Sequence, residues 1–173
     1  SGSLTVIREQ TAQTNPYDGL EDTDYLKFVA PSSGYIVFTA NNTPRNMGEN
    51  LTLKLFLCNA KRKEITDTSK NYFYVVEDES ITFAIAKGKT YYLRVDTYDE
   101  KYQLDYKFTK VNEKTGNHKK SKAATIKKKK LVKGLLMAGE KKADWYKIKL
   151  TKKQVVYLTV TAKSYKGINV NVY

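Results

Sequence analysis

Hydrophobic residues recur at every second position in several short stretches of this chain, and this alternation restricts the fold more than any other feature. The stretches include residues 26–30, 36–40, 51–55, 81–85, 91–95, 104–108, 146–150, 156–160 and 168–172. A period of two is typical of β-strands that bury one face. Turn-forming residues at 31–34 and 86–89 separate stretches that follow one another at roughly ten-residue spacing. The sequence therefore predicts an all-β sandwich or barrel.

The composition is that of a globular protein with a preference for strands. Hydrophobic residues make up 40% of the 173 residues and charged residues 28%, and the 14 tyrosines favour β structure. No apolar run approaches the ~20 residues of a transmembrane helix. A single cysteine, Cys58, excludes an internal disulfide. Its place in a predicted strand favours a small packing residue over a reactive thiol.

The chain contains an internal repeat with the spacing of a whole domain. Residues 24–40 align without a gap on residues 144–160, so that Asp24 falls on Asp144 and Lys27 on Lys147. A following loop that is shorter by three residues then brings residues 51–56 onto 168–173. A spacing of about 120 residues fits a domain rather than the unit of a solenoid.

The repeat predicts how the chain is divided. We expect a complete β-sandwich module over residues 1–111, a linker over 112–122, and the N-terminal half of a second similar module over 123–173. Residues 1–3 resemble a cloning scar and are left out of the fold. Half a sandwich exposes an apolar face and open strand edges. We therefore expect the second half-module to form a homodimer or to be partly disordered in isolation.

Several ordered motifs resemble the bacterial pre-peptidase C-terminal domain family. They are Asp-x-Asp-Tyr-Leu-Lys-Phe at 22–28, Gly-Tyr-Ile-Val-Phe-Thr at 34–39, Leu-Lys-Leu-Phe-Leu-Cys-Asn-Ala at 53–60 and Lys-Gly-Lys-Thr-Tyr-Tyr-Leu-Arg-Val at 87–95. The resemblance implies a jelly-roll-like antiparallel β-sandwich. It also implies an extracellular or cell-surface module attached to secreted proteases or surface proteins, with some relatives that bind collagen or polysaccharide.

The sequence has few residues that could carry catalysis. The single histidine, His118, lies in the predicted linker, and no cluster of histidine and cysteine has the spacing of a zinc site. No glycine-rich phosphate loop is present either. We therefore predict a non-catalytic extracellular binding or adhesion module that recognises cell-wall, matrix or glycan material. The alternative is a structural spacer attached to a secreted hydrolase or protease.

An acidic group ahead of the second predicted strand is the best candidate for a metal site. It consists of Asp18, Glu21, Asp22 and Asp24. Calcium takes several oxygen ligands, often from one loop, and calcium-binding relatives in the resembled family use acidic residues at this place. Asp24 matches the opening aspartate of the family motif. The alternative is an acidic loop in which Asp24 caps a turn, and we expect no other cofactor.

Lysines concentrate in the C-terminal third of a chain whose net charge is +13. The densest run consists of Lys127, Lys128, Lys129 and Lys130. This run could attract an anionic wall polymer, or it could be solvated surface that prevents pairing of strand edges. Residues 112–173 contain no arginine, and no aromatic residues interleave the lysine run, which argues against nucleic acid as the partner.

Four aromatic residues fall on the outward phase of their predicted strands. They are Tyr25, Tyr35, Tyr92 and Trp145. Exposed aromatic rings could bind a polysaccharide or a collagen-like partner. The alternative is that these outer rows pack under loops or against the neighbouring module.

Overall fold

The computed structural model describes most of the chain. The described residues are 6–10, 22–41, 51–66, 72–75, 79–97, 102–112, 116–140, 142–162 and 168–173. Eight strands lie among the described residues up to residue 112, and together they form what we call the N-terminal sandwich. They are β1 (Val6–Gln10), β2 (Asp22–Val29), β3 (Gly34–Asn41), β4 (Leu51–Cys58), β5 (Tyr72–Val75), β6 (Glu79–Ile85), β7 (Thr90–Thr97) and β8 (Gln103–Lys110).

These strands form two sheets. One has five strands in the order β1-β2-β7-β4-β5, and the other has three in the order β6-β3-β8. Every pair of neighbouring strands in these two sheets is antiparallel. The chain crosses between the sheets from β2 to β3, from β3 to β4, and again after β5, β6 and β7. The predicted all-β fold, a jelly-roll-like antiparallel sandwich, is confirmed.

The alternating hydrophobic residues fill the space between the two sheets, as their period of two requires. The largest side chains that are less than 2% exposed are Phe28, Ile36, Phe38, Leu53, Leu55, Leu57, Ile81, Ile85, Leu93 and Val95. Burial of each such side chain is worth about 1.5–3 kcal/mol. At the centre, the Phe28 ring stacks on Tyr91 at 5.7 Å between ring centroids and meets Phe38 from the opposite sheet at 5.8 Å.

Two local details of the N-terminal sandwich are the position of its first strand and the turn at 86–89. The first strand lies at Val6–Gln10, ahead of the alternating stretches, and its Arg8 pairs with Leu26 of β2. The expected turn at 86–89 is present, and Gly88 takes a left-handed φ of 73° there. Side chains with a Cβ rarely adopt that conformation, which explains a glycine at this position.

The strands β2, β3 and β4 follow one another in the sequence but do not lie next to one another in a sheet. β2 pairs with β1 and β7, β3 pairs with β6 and β8, and β4 pairs with β5 and β7. The strands β2, β3 and β4 therefore make no ladder with one another. Apart from the β1–β2 pair, hydrogen bonding of the first half of the sandwich depends on strands from its second half.

The described residues after 115, which we call the C-terminal region, contain little regular structure. A 3-10 turn spans Lys120–Lys122, and β9 (Ala124–Thr125) pairs in parallel with β10 (Tyr146–Lys147). The strands expected at 156–160 and 168–172 are not formed among the described residues, so this part of the expectation is wrong. The physical reason lies in the strand order, because the corresponding strands of the N-terminal sandwich take their partners from β5 to β8.

Residues 135–140 of the C-terminal region pack against the N-terminal sandwich. The Ala138 amide donates a hydrogen bond of 3.1 Å to the carbonyl oxygen of Ala84 in β6, and Leu135 is 8% exposed. Glu140 forms an ion pair of 2.9 Å with Lys89. β6 is an edge strand, and unpaired edges invite association with other chains. The segment 135–140 therefore covers part of an edge that would otherwise be open.

No helix in the described part of the chain is both long enough and apolar enough to cross a membrane.

Candidate functional site

The outer face of the five-stranded sheet carries an unusual mixture of aromatic and charged side chains. Residues that stand opposite one another on β2, β7 and β4 form three rows across this face. The rows are Lys27–Tyr92–Cys58, Tyr25–Arg94–Phe56 and Thr23–Asp96–Lys54. Phe56, Cys58 and Tyr92 are buried and form a small cluster of their own, separate from the main core, with Tyr25 packed against it. The outer face is therefore partly covered rather than fully open to solvent.

The cover is a tight turn that follows β4. The Asn59 side-chain oxygen accepts hydrogen bonds from the amides of Lys61 (2.9 Å) and Lys63 (3.1 Å). Asparagine commonly fixes a turn in this way. The chain then folds back along β4, where the amide of Ile65 donates to the carbonyl of Leu57 at 2.9 Å. These bonds hold the turn in one conformation next to the sheet.

Arg62 sits in this turn with a left-handed φ of 58°. That conformation costs about 1–2 kcal/mol for a residue other than glycine. Its amide donates to the carbonyl of Asn59 at 2.9 Å, which helps to hold it there. A non-glycine residue in this region, kept in place by surrounding hydrogen bonds, is a feature found at functional sites.

The turn places the Arg62 guanidinium over two tyrosine rings. It lies 4.8 Å from the ring centroid of Tyr25 and 5.1 Å from that of Tyr92. The two rings meet edge to face at 6.2 Å, and the Lys27 ammonium lies 5.8 Å from the Tyr92 centroid. Such cation–π contacts are worth about 0.5–2 kcal/mol each. We call Tyr25, Lys27, Arg62 and Tyr92 the Arg62 cluster.

A second arginine on the same face has a structural role. The Arg94 guanidinium forms ion pairs of 2.6 Å with Glu64 and 3.0 Å with Asp96, and it lies 4.0 Å from the ring centroid of Phe56. Burial alone would lower the pKa of Arg94, but the carboxylates of Asp96 and Glu64 outweigh burial and raise it. Arg94 therefore carries a positive charge that its two carboxylate neighbours more than neutralise within the face.

The net charge of the surrounding surface is positive. Lys61 and Lys63 of the turn are exposed, and they flank Arg62 in the sequence. Arg94 is paired with Glu64 and Asp96, and the exposed cations next to the Arg62 cluster are Lys61 and Lys63. They can attract an anion to a surface on which the position of the Arg62 guanidinium is fixed.

Cys58 lies at 0% exposure beneath this face. Burial, reinforced by the nearby Glu64 and Asp96 carboxylates, raises the pKa of its thiol from 9.0 to about 11. The thiolate is the reactive form of cysteine. The structure thus agrees with a packing role for Cys58.

We expect Cys58 in the folded protein to react with a thiol reagent at pH 8 at least about 100-fold more slowly than in denaturant, because two pKa units remove that much thiolate. The measurement is the rate of labelling with and without denaturant. Cys58→Ser provides the control for labelling elsewhere. Equal rates in the two conditions would contradict the buried position.

The same pKa shift has a consequence for stability. An unfolded thiol ionises as the pH passes 9, whereas the folded thiol stays neutral until about 11. The unfolded state then binds fewer protons than the folded state, so the stability of the fold decreases over this window. We expect the decrease in Tm between pH 8 and pH 10.5 to be smaller in Cys58→Ala than in the natural chain. An identical decrease would contradict the shift.

The four outward-phase aromatic residues are placed in three different locations. Tyr25 and Tyr92 come together in the Arg62 cluster, where Tyr92 is 7% exposed and Tyr25 is half-buried. Tyr35 lies on β3 in the other sheet. Trp145 lies in the C-terminal region, where its ring is 5.5 Å from that of Tyr173. The four residues do not form one continuous surface.

The acidic group is described only in part. Asp18, Glu21 and the side chain of Asp22 lie outside the described residues. Asp24 is 4% exposed on the inner face of β2, and its carboxylate accepts a hydrogen bond of 2.7 Å from the Tyr102 hydroxyl. Among the described residues no group of three or more potential metal ligands is found. The calcium site stays a prediction.

The lysine run forms an exposed turn. Lys127, Lys128, Lys129 and Lys130 are all exposed, with Lys129 at a φ of 57°. The amide of Lys130 donates to the carbonyl of Lys127 at 3.2 Å.

His118, expected in a linker, lies with its Nδ1 3.0 Å from the Asp144 carboxylate, and the neighbouring Asn117 is buried.

Sequence reasoning did not identify Arg62 or Lys27 as site residues. The only local signal for Arg62 is the largely polar stretch 59–63, which follows the predicted strand at 51–58. Such a stretch indicates a turn but not the direction in which the turn points.

Comparison with known proteins gives little further information. No protein-family model matches the chain, and no curated protein matches it. A solved structure that does match is the native structure of a family 35 carbohydrate binding module from Clostridium thermocellum. It shares 13% identity at a TM-score of 0.33, and the match covers 60% of this chain and 84% of that chain. The likeness is slight at this TM-score, and the sandwich fold of the chain is established by its own strand pairing.

Proposed function

We propose that the N-terminal sandwich is a non-catalytic binding module that recognises an anionic polysaccharide or wall polymer at the Arg62 cluster. The observation that carries this proposal is the position of Arg62, held by the Asn59 turn over the rings of Tyr25 and Tyr92. An arginine fixed in this way loses little side-chain freedom on binding, which favours affinity.

The chemistry of the cluster fits a polymer with carboxylate or phosphate groups. Arginine binds such groups through two parallel hydrogen bonds, and its planar group can stack on an aromatic ring at the same time. Half-buried Tyr25 adds an aromatic ring and a hydroxyl beside the guanidinium, a combination suited to a partner that is partly apolar and partly polar. Lys61 and Lys63 would add long-range attraction without specificity.

The resemblance of the 22–28 and 87–95 motifs to the pre-peptidase C-terminal domain family supports an extracellular or cell-surface location. Wall polymers and extracellular glycans are accessible there. On this proposal a collagen-like partner is less favoured, because the cluster is cationic and small.

The test is binding of the chain to a polyuronate, a poly(glycerol phosphate) polymer, a neutral glucan and collagen. We expect binding to the two anionic polymers that persists in part when the salt concentration rises from ~150 mM to ~500 mM, at which attraction between exposed charges is largely screened. Binding that disappears entirely at the higher salt concentration would assign the attraction to exposed lysines and overturn the site.

Two matched variants test the location. We expect Tyr25→Ala to weaken binding about tenfold, corresponding to about 1.4 kcal/mol. Tyr35→Ala removes the same side chain from the other sheet and is expected to leave the affinity unchanged. Equal effects of the two substitutions, or none, would contradict a site at the Arg62 cluster.

One observation favours a second function, that of a structural spacer. The contacts of residues 135–140 with Ala84 and Lys89 fix the C-terminal region against the N-terminal sandwich. A fixed connection between successive units is what a stalk requires. Absence of binding to every polymer in the panel would favour this alternative.

A further inference from the structure

We infer that β8 is a dimer interface, at which two copies of this chain join edge to edge. The inference does not depend on the proposed function, and it concerns residues 103–110, all of which the structure describes. It rests on three observations: the position of β8 at the edge of its sheet, the exposure of its side chains, and the order of charges along the strand.

β8 is an edge strand of the three-stranded sheet. It pairs with β3, and no other strand in the described part of the chain forms a ladder with it. An edge strand presents a row of backbone amides and carbonyls that can pair with a strand of another chain. At the opposite edge of this sheet, β6 accepts a hydrogen bond from the amide of Ala138, so β8 is the more open of the two edges.

Tyr106 shows that this edge is also accessible from the inner side of the sheet. It stands opposite Phe38 of β3, which belongs to the core, and the two ring centroids are 6.5 Å apart. Tyr106 is nevertheless 44% exposed. A strand placed beside β8 would cover an aromatic ring that the single chain leaves in water, and burial of apolar surface of this kind favours association.

The charges of β8 form a pattern that complements itself. Asp105 and Lys107 are exposed on the outer face, one on each side of Tyr106 in the sequence. When two β8 strands pair antiparallel about Tyr106, Asp105 of each copy stands opposite Lys107 of the other. The same register places Leu104 opposite Phe108 on the inner face, and Tyr106 opposite its own counterpart. Opposite charges and aromatic pairs that face one another across strands stabilise a sheet.

The neighbouring registers lack this complementarity. One strand must slip by two residues to keep the inner and outer faces aligned, because a slip by one exchanges the two faces. A slip by two in one direction places Asp105 opposite Asp105, and in the other direction it places Lys107 opposite Lys107. Like charges in direct opposition destabilise a sheet. The charge pattern therefore favours one register, and the strand that matches it is β8 of a second copy.

The resulting assembly is closed and leaves the Arg62 cluster accessible. Both copies use the same surface, so the interface is isologous and the assembly stops at a dimer. The inner faces of the two β8 strands lie on one side of the joined sheet, and both five-stranded sheets therefore lie on that side. If the proposed function holds, a dimer presents two Arg62 clusters to one polymer and gains avidity. This last consequence rests on the proposed function, whereas the dimer itself does not.

The experiment is sedimentation equilibrium of the full chain over a range of concentrations. We expect a reversible equilibrium between monomer and dimer. Asp105→Lys and Lys107→Asp each place like charges opposite one another, and we expect either change to raise the dissociation constant at least about tenfold. Both side chains are exposed, so neither change disturbs the core.

A mixture of the two variants makes the result decisive. At these two positions one variant has lysines only and the other has aspartates only, so every cross-strand pair in a mixed dimer joins opposite charges. We expect the equimolar mixture to dimerise at least as tightly as the natural chain. Lys87→Asp makes the same change of charge at an exposed residue outside β8 and is expected to leave the dissociation constant unchanged.

Three results would overturn the inference. The first is a natural chain that stays monomeric at every concentration. The second is a dimer that neither β8 variant weakens, which would assign the interface to another surface, such as the 123–173 half-module suggested by the sequence. The third is a mixture of the two variants that does not recover the dimer. Each of these results leaves polymer binding at the Arg62 cluster to be decided by its own variants, Tyr25→Ala and Tyr35→Ala.

Discussion

Replacement of Phe28 by alanine is expected to destabilise the N-terminal sandwich by about 3–5 kcal/mol, the usual cost of removing a large aromatic side chain from a core. Phe28 is 1% exposed and contacts rings from both sheets, stacking on Tyr91 and meeting Phe38. Neither sheet can move into the space without losing contacts on its own side. The cavity term therefore adds fully to the lost transfer free energy.

The measurement is the free energy of unfolding in denaturant, followed by a signal from the N-terminal sandwich. Val29→Ala is the matched control, since Val29 is the next residue on β2, points to the opposite face and is 50% exposed. We expect that control to change stability by less than about 0.5 kcal/mol. A similar loss in the two variants would mean that Phe28 is not part of a close-packed centre.

Replacement of Gly34 by alanine is expected to cost about 3 kcal/mol, at the upper end of the usual range for overpacking. A Cβ at this position would overlap the backbone carbonyl oxygen of Thr109, and it would lie 3.0 Å from two ring carbons of Phe108. A backbone carbonyl cannot rotate away as a side chain can. β8 would have to separate from β3 at the end where Gly34 pairs with Lys110.

This mechanism predicts where the damage occurs as well as how large it is. Amide exchange in Gly34→Ala should accelerate at 108–110 before it accelerates in β7. Gly88→Ala is the comparison, because Gly88 has open space around it but a left-handed φ of 73°. It should cost about 1–2 kcal/mol from backbone strain alone. If the exchange of β8 is unchanged in Gly34→Ala, steric overlap is not the cause.

The fold of the first 111 residues could be predicted from the sequence because local pattern and long-range pairing agree there. Leu26 and Phe28 follow the alternation, and the strand that contains them, β2, has neighbours on both sides. In the C-terminal region the same alternation predicts a strand at 156–160, but the described residues form no strand there. A hydrophobic period of two residues indicates that a segment can bury one face. Whether the segment becomes part of a sheet depends on strands that can form hydrogen bonds with it.

The candidate site illustrates a different limit. Tyr25 and Tyr92 lie on the outer face of the sheet, as the alternation of hydrophobic residues predicts, because the face on which a strand residue lies is a local property. The approach of Arg62 to both rings is not local, since the turn after β4 must reach across β7 to the ring on β2. No spacing in the sequence encodes the direction of that turn. The hydrogen bonds of Asn59 explain it only after the structure is known.

The position of β7 between β2 and β4 has a consequence for the time course of folding. Asp22 of β2 pairs with Thr97 of β7, so the ladder joins segments that are synthesised far apart. At about 5–20 residues per second, the roughly 60 residues between the two strands, 30–89, take several seconds to synthesise. During that interval the ladders that can form are β1–β2, β4–β5 and, once β6 has been synthesised, β3–β6, while β2 and β4 wait for the strand that joins them. The five-stranded sheet, and with it the core between the two sheets, therefore closes only after β7 has emerged.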